Sequence, residues 1–145
     1  MVYRKYIDIF GKNVDMEHIY YFDGDQKNIA WIIENSQTRY EEARIHAEYF
    51  YDKVTPQQSK YIAFHVGIFW GVGRYILKNN DTIIVMLDQK EIFDRLTKNR
   101  ITDDIFIERR IRFINQIIQQ RDLVVLYQIL DPVENIASKL LLPKN

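Results

Sequence analysis

TPQQSKYIAFHVGIFWGVGRYILKN, residues 55–79, is the stretch on which the reading of the chain turns. Thr55 can cap a helix, Pro56 suits the first helical position, and Gln58 can reach back to complete a capping box, so a helix is expected from Pro56. No residue from 61 to 73 carries a full charge. At helical spacing Ile62, His65, Phe69, Val72 and Ile76 form one seam, Tyr61, Phe64, Ile68, Gly71 and Tyr75 a second, and Ala63, Val66 and Trp70 a third. A helix that is apolar on every side belongs in the middle of a fold. Gly67, Gly71 and Gly73 each cost about 1 kcal/mol relative to alanine in a helix. Gly67 and Gly71 lie one turn apart, which predicts the close approach of another helix backbone.

Before this helix, Asp25 can cap a long amphipathic one running to about Lys53. Ile33, Ser36, Tyr40, Ala43, Ala47, Phe50 and Val54 recur at spacings of three and four, like a coiled-coil seam. Val54 to Pro56 leaves little room for a loop, so the two helices are expected to form an antiparallel hairpin. Residues 1–24 read differently. Tyr6-Ile7-Asp8-Ile9-Phe10 alternates like a strand, Gly11-Lys12-Asn13 reads as a turn, and His18-Ile19-Tyr20-Tyr21-Phe22 is β-prone until Asp23-Gly24 stops it. A hairpin-like flap over the core, or a partner-binding arm, is expected there.

After the helix, Lys78-Asn79-Asn80-Asp81 is a stop and a turn. Thr82–Leu87 suits either a short buried strand or a helix start. Asp88-Gln89-Lys90-Glu91 reads as a cap opening a helix to about Lys98. Thr102-Asp103-Asp104 opens another, with Ile107, Ile111, Ile114 and Ile118 as its seam. Arg121-Asp122 interrupts it, and Asp131-Pro132-Val133-Glu134 caps a terminal helix ending near Leu142. The expectation is an all-α, antiparallel four-helix bundle in one domain over residues 1–145. Residues 1–24 would be the irregular or β-hairpin-like arm, residues 25–142 the bundle, with a short C-terminal helix.

Composition excludes several chemistries. The 145 residues carry 20 basic and 20 acidic side chains and no cysteine, which removes disulfides, thiolate metal sites and cysteine nucleophiles. No apolar run reaches the roughly 20 residues that cross a bilayer, so a soluble, unprocessed chain is expected. Glu42 and His46 are four apart, but the repeated Glu-x-x-His of bundle di-metal sites is absent. His65 reads as a satisfied core histidine and His18 as a surface one. Ser36, Ser59 and Ser138 lack a nucleophile-elbow context, and phosphate-binding glycine loops are missing. No catalytic residue, metal or cofactor is expected, and the chain is read as not an enzyme. Charge is laid out on two sides. Glu34, Glu41, Glu42, Glu48 and Asp52 make one helix acidic, while Arg95, Lys98, Arg100, Arg109, Arg110 and Arg112 gather near a helix junction. These eleven are the candidate partner-binding residues, the default for any such face being solvation.

A cysteine-free chain of this length, with a tight Val54-Thr55-Pro56 turn, an aromatic amino-terminal segment and an Ile-rich later helix, resembles the small helix-bundle proteins of archaeal two-tailed viruses. That group includes virion proteins and a related inhibitor of the host's multisubunit RNA polymerase. The resemblance implies a viral inhibitor that enters the polymerase's DNA-binding channel, restricts the clamp and blocks template loading and transcription initiation. It would act in the host cytoplasm and be packaged in the virion as well. The alternatives are a structural virion coat protein of the same fold and a DNA-binding transcriptional regulator using the arginines on phosphates. Weak nucleic-acid binding is a secondary partner expectation, and membrane binding is not expected.

Overall fold

The computed structural model describes residues 5–7 and 13–141. Six strands, three α-helices and two 3-10 turns are formed among them: β1 Lys5–Ile7, β2 Asn13–Gly24, β3 Asn28–Glu34, β4 Arg39–Ile45, α1 Pro56–Gly73, β5 Thr82–Leu87, α2 Lys90–Thr97, α3 Ile105–Gln120, β6 Val124–Ile129, then 3-10 turns at Pro132–Glu134 and Ile136–Leu140. The main sheet runs β4-β3-β2-β5-β6, with β1 paired antiparallel to β2. β2, β3 and β4 are antiparallel neighbours, whereas β2 with β5 and β5 with β6 are parallel. The all-α four-helix bundle is therefore corrected to an α/β fold.

The long helix expected over residues 25–53 is instead the β3–β4 hairpin. Ile29-Ala30-Trp31-Ile32-Ile33 is buried on both faces, so its run of apolar residues is that of an interior strand and its heptad-like spacing is incidental. Asp25 does cap backbone, but the backbone of a turn: its Oδ1 accepts the amides of Lys27 and Asn28, both at 2.8 Å. Asn35 does the same at the next turn, accepting from Gln37 and Thr38. The supposed flap or arm is corrected too, because β2 is the central strand of the sheet. The expected turn at Gly11-Lys12-Asn13 and the strand-like Asp8-Ile9-Phe10 lie largely outside the described residues.

The expected capping box is present: Gln58 N donates to Thr55 Oγ1 at 3.0 Å, and Thr55 N to Gln58 Oε1 at 2.9 Å. The helix it opens packs on the sheet and on α3. Tyr20, Phe22, Trp31, Ile33, Ile83, Val85 and Leu87 meet Tyr61, Phe64, Ile68, Ile107 and Ile114 in the main core. Each such burial contributes about 1.5–3 kcal/mol. The opposite sheet face buries Ile19, Ile84 and Met86. Thr82–Leu87 resolves as a strand, and the chain after Arg121-Asp122 forms β6, with Asp122 at φ 50° marking the break. The terminal segment caps at Asp131 as expected but forms 3-10 turns rather than an α-helix.

Gly67 and Gly71 make room for sheet side chains and Leu77, not for a second helix, while a Cβ on Gly73 would meet open space. A Cβ on Gly67 would stand 2.0 Å from Tyr20 Oη and 2.8 Å from Trp31 Cγ. Tyr20 Oη uses that space to donate to the α1 carbonyls of Ala63 and Phe64, at 2.7 and 3.1 Å. Gly67→Ala is expected to lower the urea midpoint by the equivalent of about 1–3 kcal/mol with an unchanged m-value.

Candidate active centre

The parallel pairing of β2 and β5 sets Glu17 against Thr82 and Tyr20 against Val85. The same register carried forward sets Asp23 level with Asp88. Both acids thus stand at the carboxyl ends of adjacent parallel strands, the edge at which open α/β sheets place their ligands.

Three further side chains converge there. Lys60 lies in α1, just after the capping box. Gln58, which completes that box, also donates from Nε2 to Asp104 Oδ2 at 2.9 Å and so ties the start of α1 to the start of α3. Close approach to β2 needs Gly24, where a Cβ would lie 2.3 Å from Ser59 Oγ and 2.7 Å from Ser59 O. With the helix seated this way, Lys60 Nζ makes a very short contact to Asp23 Oδ1 and lies 3.3 Å from both oxygens of Asp88. Asn135 Nδ2 donates to Asp88 Oδ2 at 2.9 Å and to the Phe22 carbonyl at 3.0 Å. Ser138 Oγ donates to Asp23 Oδ2 at 2.6 Å, and the Gly24 amide donates to Asp23 Oδ1 at 2.8 Å. About a tenth of each of the Lys60, Asp23 and Asp88 side chains remains accessible. Beside this group His46 Nε2 lies 2.7 Å from Ser59 Oγ and 3.0 Å from the Asp25 carbonyl oxygen, and burial holds its pKa below the ordinary histidine value.

None of the eleven residues expected to bind a partner belongs to this centre. Glu41 and Glu42 lie side by side on β4, where successive side chains alternate between faces, so they cannot share an acidic helix face. They pair with Arg39 and Arg44, and Asp52 pairs with Lys27 at 2.8 Å. Glu34 ends β3 and Glu48 sits in the turn after β4. The cations are divided as well. Arg95 is held by Tyr61 Oη at 2.7 Å, Gln57 and Glu91, and Lys98 pairs with Asp94. Arg100, Arg109 and Arg112 are exposed. Arg110 donates to His65 Nδ1 at 3.0 Å and stacks over Phe50 and Phe106. His18, read as a surface residue, is fully buried at the other end of the sheet, 2.8 Å from Asp81.

Sequence alone does not join the members of this centre, since Asp23 and Asp88 each have a local reading and Lys60 and Asn135 carry no motif. Asp23-Gly24 passed for a strand stop and Asp88 for a helix cap, although the N-cap of α2 is Gln89. One signal was present: each aspartate closes an apolar β-prone run, Ile19-Tyr20-Tyr21-Phe22 and Ile84-Val85-Met86-Leu87.

No family model matches the chain, and no curated protein does. Solved structures share its fold. RNase H1 from Halobacterium salinarum is similar over 86% of this chain and 93% of its own, with a TM-score of 0.70 at 16% identity. LC11-RNase H1, isolated from compost and solved in complex with an RNA/DNA hybrid, is similar over 85% and 92%, with a TM-score of 0.66 at 13% identity. The N-terminal RNase H domain of a Mycobacterium tuberculosis protein is similar over 86% and 90%, at 0.63 and 10%. At these identities the likeness establishes an RNase H fold. It overturns the resemblance to viral helix-bundle proteins, and with it the polymerase inhibitor, coat protein and transcriptional regulator; the polymerase clamp and channel lose their support as partners. The expectation of a chain that is not an enzyme is overturned by the same neighbours, which are RNase H enzymes.

Nucleases with paired carboxylates commonly work through two divalent cations. The side chains here do not fit such ions. Among the described residues no group of three or more histidines and carboxylates comes together, and the space between Asp23 and Asp88 is filled by the Lys60 ammonium. What the arrangement offers chemically is a fixed positive charge flanked by two carboxylates whose oxygens already accept hydrogen bonds.

Two consequences are measurable. Lys60→Met leaves two nearly buried carboxylates facing each other and is expected to cost about 3–5 kcal/mol in urea unfolding, with Asp88→Asn in the same chain recovering part of it. His65 gives a pH signature. Burial, aided by the Arg110 charge, lowers its pKa from 6.5 to about 4. The unfolded chain therefore takes up this proton first, and stability is lost as pH falls from 6.5 towards 4. In His65→Gln the slope of unfolding free energy against pH over that window is expected to flatten.

Proposed function

We propose that this chain is an RNase H-like domain that engages RNA/DNA hybrids, with the carboxyl ends of β2 and β5 set against the nucleic-acid backbone. The observation that carries this reading is the convergence of Asp23, Lys60, Asp88 and Asn135 at that edge. The fold is shared almost end to end with an RNase H1 solved on such a hybrid, which supports the substrate class.

A backbone approaching this edge meets two carboxylates and one ammonium, and so needs cations around them. Lys90 follows Asp88 by two residues and is largely exposed, and Lys98 and Arg100 are exposed where α2 gives way to the next loop. These three are the proposed phosphate contacts, with Arg109 and Arg112 on the exposed side of α3 as outlying ones. Arg95 is excluded from that role because its guanidinium is engaged within the fold.

The test is fluorescence anisotropy with RNA/DNA hybrid, duplex DNA and duplex RNA of one sequence across a potassium chloride series. The hybrid is expected to bind tightest. Lys98→Ala/Arg100→Ala should weaken binding and make the plot of log affinity against log salt shallower by about 2. Absence of binding to every duplex at low salt, or a double variant with unaltered affinity and slope, would contradict the proposal.

A further inference from the structure

We infer that Lys60 is the resident cation of the centre: its ammonium takes the place between Asp23 and Asp88 that a divalent ion would need, and closes the pair to metal. The inference rests on the proposed function only in taking this edge as the one a hybrid meets.

The whole shell around the two carboxylates is made of donors. Asp23 receives Lys60 Nζ and the Gly24 amide on Oδ1 and the Ser138 hydroxyl on Oδ2. Asp88 receives Lys60 Nζ on both oxygens and Asn135 Nδ2 on Oδ2. Asn135 has one oxygen with which it could ligate, but its Oδ1 accepts the Ala137 amide at 3.1 Å, which turns its Nδ2 towards Asp88. The donors come from α1, the end of β2 and the C-terminal 3-10 turns, so no single rotation vacates the site. A magnesium ion is held at about 2.0–2.1 Å through one or two free carboxylates, with waters filling its other positions. Here it would find two carboxylates, already occupied, and a positive charge beside them. Two aspartates alone would carry −2; with Lys60 the group carries −1.

If the ammonium is what excludes the metal, a carboxylate at position 60 should admit it. The test is a Mn2+ titration of the folded proteins, followed by electron paramagnetic resonance of free Mn2+ and by melting temperature, on the natural chain, D88N, K60E and K60E/N135D. The natural chain is expected to bind no Mn2+ that D88N removes. K60E is expected to bind at least tenfold more tightly than the natural chain, to melt higher when Mn2+ is added, and to tighten again in K60E/N135D. Stoichiometric, D88N-sensitive binding by the natural chain would overturn the inference, as would a folded K60E that gains no Mn2+ affinity. Should K60E fail to fold even with Mn2+, the natural chain against D88N still decides. No nucleic acid enters these titrations, so failure of hybrid binding would remove the proposed function and leave this result readable.

Discussion

The ammonium of Lys60, held between Asp23 and Asp88, is the constraint on which the strand ends of β2 and β5 depend. Two carboxylates brought level by parallel strands repel each other, and about nine-tenths of each side chain is out of water. Without a cation between them, the register of β2 against β5 would carry an electrostatic cost exactly where the sheet is otherwise open. Lys60 removes that cost from within the chain. The position of α1 follows: the capping box, the bond from Gln58 to Asp104 and the bare Cα of Gly24 all serve to set Lys60 at the strand ends.

An internal cation differs in kind from a bound one. A divalent ion comes and goes with its concentration and presents open ligand positions to a substrate, whereas an ammonium is covalently tethered and offers only donors. A centre built this way keeps its charge without metal and keeps its geometry through the fold. The buried ion pair should therefore be seen as specifying an arrangement more than as adding stability, since charges removed from water recover little net free energy.

Much of the local chemistry was legible in the sequence, and the tertiary arrangement was not. The capping box at Thr55, the all-round apolar α1, the breaks at Lys78-Asn79-Asn80-Asp81 and Arg121-Asp122, and the apolar seam of α3 all appear where residue chemistry puts them. Residues 25–53 carry two competing periods. Spacings of three and four through Ile33, Ser36 and Tyr40 suggested a helix, while the unbroken Ile29-Ala30-Trp31-Ile32-Ile33 run and the Asn35-Ser36-Gln37-Thr38 cluster spoke for strand, turn, strand. Once that hairpin was read as a helix, the amino-terminal β-prone segment had no sheet to join. Asp23 and Asp88 then had no reason to meet, because only the parallel pairing of β2 and β5 makes them neighbours across 65 residues of chain. Lys60, one residue before the uncharged stretch, gained its meaning only from that pairing.

The most direct measurement of the central claim is a crystal structure of the natural chain grown with Mn2+, phased so that anomalous scattering from manganese is mapped. The map is expected to show Lys60 Nζ between Asp23 and Asp88 and no manganese peak at either carboxylate. A peak bridging the two aspartates, with Lys60 turned away, would contradict the account.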